Sequence, residues 1–250
     1  MLYYPRIFFL FSLLVLWLSA QVGAWLRRRR PLRDDEREDF KVVEAATLTL
    51  LSLIIGFSFS MATTRYDLRK NYEEAEANAI GTEYVRAGLL PAADATAVRA
   101  QLGKYHELRI RFYRTRDQRE LQQIDADTAQ LQRDMWSAVQ VPAEARPTPV
   151  AALAVAGMND VLNSQGYTQA AWWNRIPGSA WTLMILIAVC CNLLVGYGAR
   201  SAGAKSGLLF ILPLVISIAF LLISDIDSPR RGFINVVPQN LESLFQSLPK

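Results

Sequence analysis

The stretch Ile54-Ile55-Gly56-Phe57-Ser58-Phe59-Ser60-Met61-Ala62-Thr63-Thr64-Arg65-Tyr66-Asp67-Leu68-Arg69 decides how this chain is read. It begins as an uncharged apolar segment and becomes charged and amphipathic with no glycine or proline at the boundary. The same character continues through Glu76-Ala77-Asn78-Ala79-Ile80-Gly81-Thr82 to Leu90-Pro91. A single helix from Val42 to Leu90 would be roughly 70 Å long at 1.5 Å per residue, more than twice the hydrocarbon thickness of a bilayer. The spacing therefore predicts one helix that joins a membrane layer to a soluble one.

Within the apolar half, Ala45 to Thr64 is a crossing bounded by Glu44 and Arg65. A charge at its centre would cost about 2.5–3.5 kcal/mol, and there is none. Upstream, Ile7 to Leu26 is a second uncharged span, with Tyr3, Tyr4 and Trp25 at its ends and Arg27-Arg28-Arg29-Arg30 behind it. A signal peptide carries its charges before the apolar core, so this span reads as a retained crossing. Downstream, Pro177-Gly178 leads into a third span, Ala180 to Tyr197, and a connection from Gly198 to Ser206 leads into the fourth, Gly207 to Ser224, kinked at Pro213.

Between the second and third spans the chain is polar and helical in period. Val98, Leu102, Tyr105, Leu108 and Phe112 trace one face. Leu121, Ile124, Thr128, Leu131, Met135 and Ala138 follow the alternating three- and four-residue step of a packed seam. Pro142, Pro147 and Pro149 are expected to break the pattern, and a last helix is predicted from Val150 to Ser164. Trp172 and Trp173 are expected at the next membrane interface. The organisation is thus residues 1–64 with two crossings, 65–175 as a helical soluble layer, 176–224 with two crossings, and 225–250 as a tail. The fold class is an all-α membrane protein with four transmembrane helices.

Composition excludes several functions. A net charge of +4 on 250 residues, with acids and bases interspersed, gives no concentrated basic face for nucleic acid. The tetra-arginine reads as a membrane flank. His106 is the only histidine, and adjacent Cys190 and Cys191 read as two small buried side chains. No nucleophile–base pair, phosphate-cradling glycine loop or metal-spaced cluster occurs, so the reading is not that of an enzyme, and no cofactor is expected from these residues.

The chemistry that the sequence does offer is on the second crossing. Ser52, Gly56, Ser60 and Thr64 recur every four residues, a small-residue row that serves either close helix packing or a pore lining. Phe57, Phe59 and Met61 form either a hydrophobic constriction or a surface against lipid and neighbouring helices. Arg65, Arg69 and Lys70 would form a basic collar at the exit, or a solvated face paired with Glu73 and Glu74 at i,i+4. Asp225 and Asp227 follow the fourth crossing. They read either as a charged stop and turn or as the beginning of a divalent-cation site, which would need more oxygens.

Gly56-Phe57-Ser58-Phe59-Ser60-Met61-Ala62, Arg65-Tyr66-Asp67, Glu76-Ala77-Asn78-Ala79-Ile80-Gly81-Thr82 and Leu89-Leu90-Pro91 together resemble the bacterial membrane family described as the bestrophin-like domain. Asp225-Ile226-Asp227-Ser228-Pro229-Arg230-Arg231-Gly232 resembles its second signature, and the likeness covers Val42 to Leu244. Bestrophins proper are pentameric anion channels with a pore along the second helix, a hydrophobic neck and a cytoplasmic helical region. The resemblance implies a homo-oligomer, a pentamer by analogy, multi-pass in the cell inner membrane and passing chloride or another small anion. Phe57, Phe59 and Met61 become neck candidates, and Asp225 and Asp227 calcium candidates. The chain has only two acids and two arginines where calcium-gated members carry a longer acidic cluster, which argues against calcium control. The alternative is a non-conducting scaffold or sensor whose soluble helices bind a protein partner. Orientation divides the two lines of reasoning: Arg27–Arg30, Arg33, Arg37, Lys41, Arg200 and Lys205 pull the short connections to the cytoplasm, and Arg65, Arg69, Lys70, Arg175, Arg230 and Arg231 pull the other way. Long loops count less, so the charges lean slightly to the soluble layer outside, whereas the resemblance places it in the cytoplasm.

Overall fold

The computed structural model describes residues 5–199 and 207–247; Tyr3, Tyr4, Arg200, Lys205 and most of the third-to-fourth connection lie outside them. The elements are α1 (Pro5–Arg29), α2 (Arg37–Arg86), a 3₁₀ turn (Ala87–Leu89), α3 (Ala92–Arg114), α4 (Gln118–Ala145), α5 (Pro149–Trp173), α6 (Gly178–Gly198), α7 (Leu208–Asp227) and α8 (Gln239–Ser247). Among the described residues there is no strand, and four helices are long and apolar enough to cross a membrane. The chain is an all-α protein of the expected class. The long helix exists: α2 runs 50 residues without interruption.

Two compact units divide the chain. The first comprises Met1–Arg65 and Arg175–Asn235. Its core is α1 against α6 and α7. Phe8 stands edge-on to Trp181, with ring centres 5.1 Å apart, and stacks on Phe220 at 6.1 Å. Nearer the other end, α1 and α6 meet backbone to backbone. A Cβ on Gly23 would overlap the Leu193 carbonyl, and one on Gly196 the Ala20 carbonyl. Ser19 Oγ donates to the Val189 carbonyl at 2.7 Å across the same pair. Without a hydrophobic drive between helices in lipid, such close approach and cross-helix bonding hold them. The basic end of α1 complements its dipole, and the Arg29 guanidinium lies 4.1 Å over the Trp25 ring. One expectation about the cysteines is corrected: Cys191 is buried but Cys190 is exposed, because consecutive helical residues point about 100° apart.

The second unit comprises Tyr66–Asn174 and Val236–Lys250. Val98, Leu102, Tyr105 and Phe112 are buried on α3, with Leu108 half-buried. On α4 the buried row is Leu121, Ile124, Thr128, Met135 and Val139, with Leu131 and Ala138 half-buried at its margin. Pro142, expected to break the helical pattern, instead lies inside α4. The ring forgoes its own N–H bond, while its carbonyl accepts from Arg146 N at 3.1 Å. Thr148 caps α5 by accepting from Ala151 N at 3.0 Å, with Pro149 in the first turn, where its missing donor costs nothing. From there α5 runs past Ser164 to Trp173.

That extension overturns the interfacial reading of Trp172. Its ring packs in the core of this unit, 5.1 Å from Phe112 and 5.5 Å from Tyr113, while its neighbour Trp173 is 75% exposed. A buried polar network ties α2, α3 and α5 together beside it. Glu76 accepts from Arg109 Nε, from Tyr113 OH at 3.3 Å and from Thr168 Oγ1 at 3.2 Å. The Arg109 guanidinium also lies 4.3 Å over the Phe112 ring. Arg109 and Glu76 have no exposed side-chain surface, so the ion pair is compensated by its own hydrogen bonds rather than by water.

Candidate functional site

The apolar half of α2 is the least covered of the four spans. In its most apolar window 11% of residues are buried, against 28%, 39% and 44% in the others. Several of its hydroxyls bond within the helix: Ser52 Oγ donates to Leu48 O at 2.9 Å, Thr63 Oγ1 to Phe59 O at 3.1 Å and Thr64 Oγ1 to Ser60 O at 2.9 Å. The polar groups therefore impose little desolvation penalty on a surface that faces lipid or another helix.

At about 100° per residue, the candidates do not share a face. Ser52, Gly56 and Phe59, with Leu48, Leu51 and Ile55, border an apolar groove of about 480 Å³ whose other wall is α7 from Leu212 to Ile223. Phe57 and Met61 lie roughly opposite this groove, and Leu53 stands one turn before Phe57 on the same row. Leu53, Phe57 and Met61 are 52%, 62% and 39% exposed, a ridge of three large apolar side chains at i, i+4 and i+8. Ser60 and Thr64 flank the ridge. The small-residue row from Ser52 to Thr64 thus starts on the groove side and ends beside Phe57, because each four-residue step drifts about 40° on a straight helix. A Cβ on Gly56 would meet nothing within 4 Å, so this glycine serves no close packing within the chain. Leu53 escaped the sequence reading, although its spacing from Phe57 and Met61 was the available signal.

The proposed basic collar is also divided. Lys70 is exposed and Arg65 half-exposed, but Arg69 is 1% exposed. Its Nε donates to the Ala171 carbonyl at 3.3 Å and its Nη2 to the Asn174 carbonyl at 3.4 Å. A cation there satisfies the orphan carbonyls at the end of α5 and complements that helix's dipole. Arg69 is a helix cap. Nor do Arg69 and Glu73 form a solvated pair. Glu73 is buried and accepts from Leu241 N at 2.9 Å and Asn240 Nδ2 at 2.6 Å, capping the first turn of α8. Burial pushes its carboxyl above the usual range, against the pull of those hydrogen bonds. His106 is buried too, its Nε2 2.5 Å from the Leu241 carbonyl.

Asp225 and Asp227 lie in the last turn of α7 rather than in a loop after it. Both are buried. Asp225 accepts from Phe233 N and Ile234 N at 2.8 Å, and Asp227 from Ile176 N at 3.1 Å. Gly232 explains the spacing of the motif: a Cβ there would strike the Asp225 carbonyl and carboxylate, so only glycine lets the tail return so closely. Among the described residues, no group of three or more His, Cys, Asp and Glu converges on a point where a metal ion would sit.

Residues 7–241 match the family described as the Bestrophin-like domain. The fold is similar to crystal structures of a bacterial bestrophin homologue from Klebsiella pneumoniae. One of them, a point mutant, gives a TM-score of 0.67 at 12% identity, covering 96% of this chain and 97% of that chain. Another, obtained by zinc phasing, gives 0.63 at 14% identity, with coverages of 98% and 99%. A crystal structure of a membrane protein gives 0.62 at 14% identity, covering 95% and 99%. At such identities the likeness speaks for the fold alone. No curated protein matches the chain.

Proposed function

Because the chain belongs to the bestrophin-like domain family, we propose that it is a ring-forming channel of a bacterial inner membrane, conducting chloride or another small anion along the α2 helices of its copies. The observation that supports this reading is the exposed ridge Leu53–Phe57–Met61, set opposite the groove that α2 shares with α7. In a ring of copies, a pentamer by analogy with bestrophins, this ridge would make a dry apolar neck that opens and closes by wetting. Lys70 and Arg65, beyond the neck, would raise the local anion concentration. Ser52, Gly56 and Phe59 have no place in that lining. Asp225 and Asp227 are given no calcium role, since backbone N–H groups already occupy their oxygens.

Chloride efflux from proteoliposomes tests the proposal. Wild-type protein is expected to leak chloride faster than empty liposomes, and Phe57→Ala to leak several-fold faster still. Phe59→Ala, on the opposite face, should change the rate little. Equal leak from liposomes with and without protein would remove the channel reading. The non-conducting scaffold draws its support from an open apolar groove of about 860 Å³ between α4 and α5, lined by Trp136, Ala143, Pro149, Ala152 and Val155 among others. A protein without efflux, isolated with a stoichiometric partner that Val155→Asp releases, would establish that alternative instead.

A further inference from the structure

Glu83 sits on α2 in the second unit with 0% of its surface exposed, and among the described residues no hydrogen-bond donor reaches either carboxylate oxygen. The other buried glutamates of α2 differ: Glu76 has Arg109, Tyr113 and Thr168, and Glu73 has the first turn of α8. Glu83 instead rests in a slot floored by the α5 backbone. A Cβ added to Gly157 would overlap its Oε2 and crowd Arg86 Nη1 at 2.9 Å, so the absent side chain of that glycine is what admits the carboxyl and the guanidinium arm beside it. The charged groups that face it are Arg86 on its own helix and Asp160 on α5, and Arg86 Nη1 lies 3.8 Å from Asp160 Oδ2. On α3, Arg99 is occupied by the Tyr84 carbonyl at 3.1 Å and by the Tyr84 ring. Arg86 Nη1 lies near enough to attract a carboxylate but makes no hydrogen bond to it, so a charge in this slot would be desolvated without a donor, and the neutral carboxyl costs less.

We propose that Glu83 is a proton-binding site, holding its carboxyl neutral at physiological pH against Gly157, and that loss of the proton loosens α2 from α5. Burial pushes the carboxyl up to about 8, with Asp160 adding to the rise and Arg86 opposing it. The direction of the effect follows from proton linkage. Between the ordinary carboxylate value and about 8, the packed site holds a proton that the opened chain releases. The packed state is therefore most favoured at low pH, and opening becomes easier as pH rises to about 8, then levels off. This device does not depend on whether the protein conducts.

Hydrogen–deuterium exchange on the full chain in detergent, from pH 5 to 9 and corrected for the intrinsic pH dependence of exchange, tests it. Peptides covering 80–86 and 154–161 should open more readily by a factor approaching tenfold per pH unit up to about pH 8, and no further above it. In Glu83→Gln, which keeps the shape and removes the titration, the profile should be flat. Equal slopes in the two proteins would overturn the proposal. Should Glu83→Gln yield no folded protein, infrared titration of the wild type decides. A buried protonated-carboxyl stretch lost with a midpoint near pH 8 supports the site, and its absence at pH 7 overturns it.

Discussion

At the scale of residues, the buried charges of α2 carry most of the information. Arg69, Glu73, Glu76 and Glu83 are each essentially without exposed surface, although they sit in a stretch that reads as a charged, solvated helix. Sequence favours that reading because charged side chains are almost never fully buried unless paired. The partners of Arg69, Glu73 and Glu76 are remote, 33 residues away for Glu76–Arg109 and 168 for Glu73–Leu241, so no local spacing reveals them, and among the described residues Glu83 has no hydrogen-bond partner to reveal. The Glu76–Arg109 pair makes the sharpest prediction at this scale. Arg109→Met should leave Glu76 buried beside only two hydroxyls and destabilise the protein by about 3–5 kcal/mol, as measured by denaturant unfolding. Adding Glu76→Gln should restore much of that loss. A single mutant within 1 kcal/mol of wild type would show the pair to be marginal.

At the scale of elements, apolar runs without charge were legible and their rotation was not. The four crossings follow from charge-free apolar length, the continuity of α2 from the lack of a glycine or proline at its boundary, and the α3 and α4 faces from helical period. Which side of α2 meets α7 depends on the packing of the neighbouring helices, and so Ser52, Gly56 and Phe59 could not be separated from Phe57 and Met61 by reading alone. The same limit hid where small residues matter for packing between the spans, as at Gly23 and Gly196 between α1 and α6. Two substitutions check this. Gly196→Ala should cost about 1–3 kcal/mol through backbone overlap and lower the thermal transition. Gly56→Ala places its methyl in open space and should raise helix stability by up to about 1 kcal/mol. The reverse order would mean that α2, not α1–α6, is the tightly packed element.

At the scale of the molecule, one copy leaves the apolar half of α2 mostly uncovered, including a ridge of three large side chains. A membrane can cover such a ridge with acyl chains, and then it needs no further meaning. A ring of copies gives it a specific one, because only a surface turned towards a symmetry axis can act as a neck. The most direct test is determination of the assembled protein in lipid nanodiscs, with the copies counted around the axis. The channel account predicts a closed ring, five-fold by analogy, with Leu53, Phe57 and Met61 of every copy facing the axis. A monomer or dimer, or a ring with those three side chains against lipid, would contradict it.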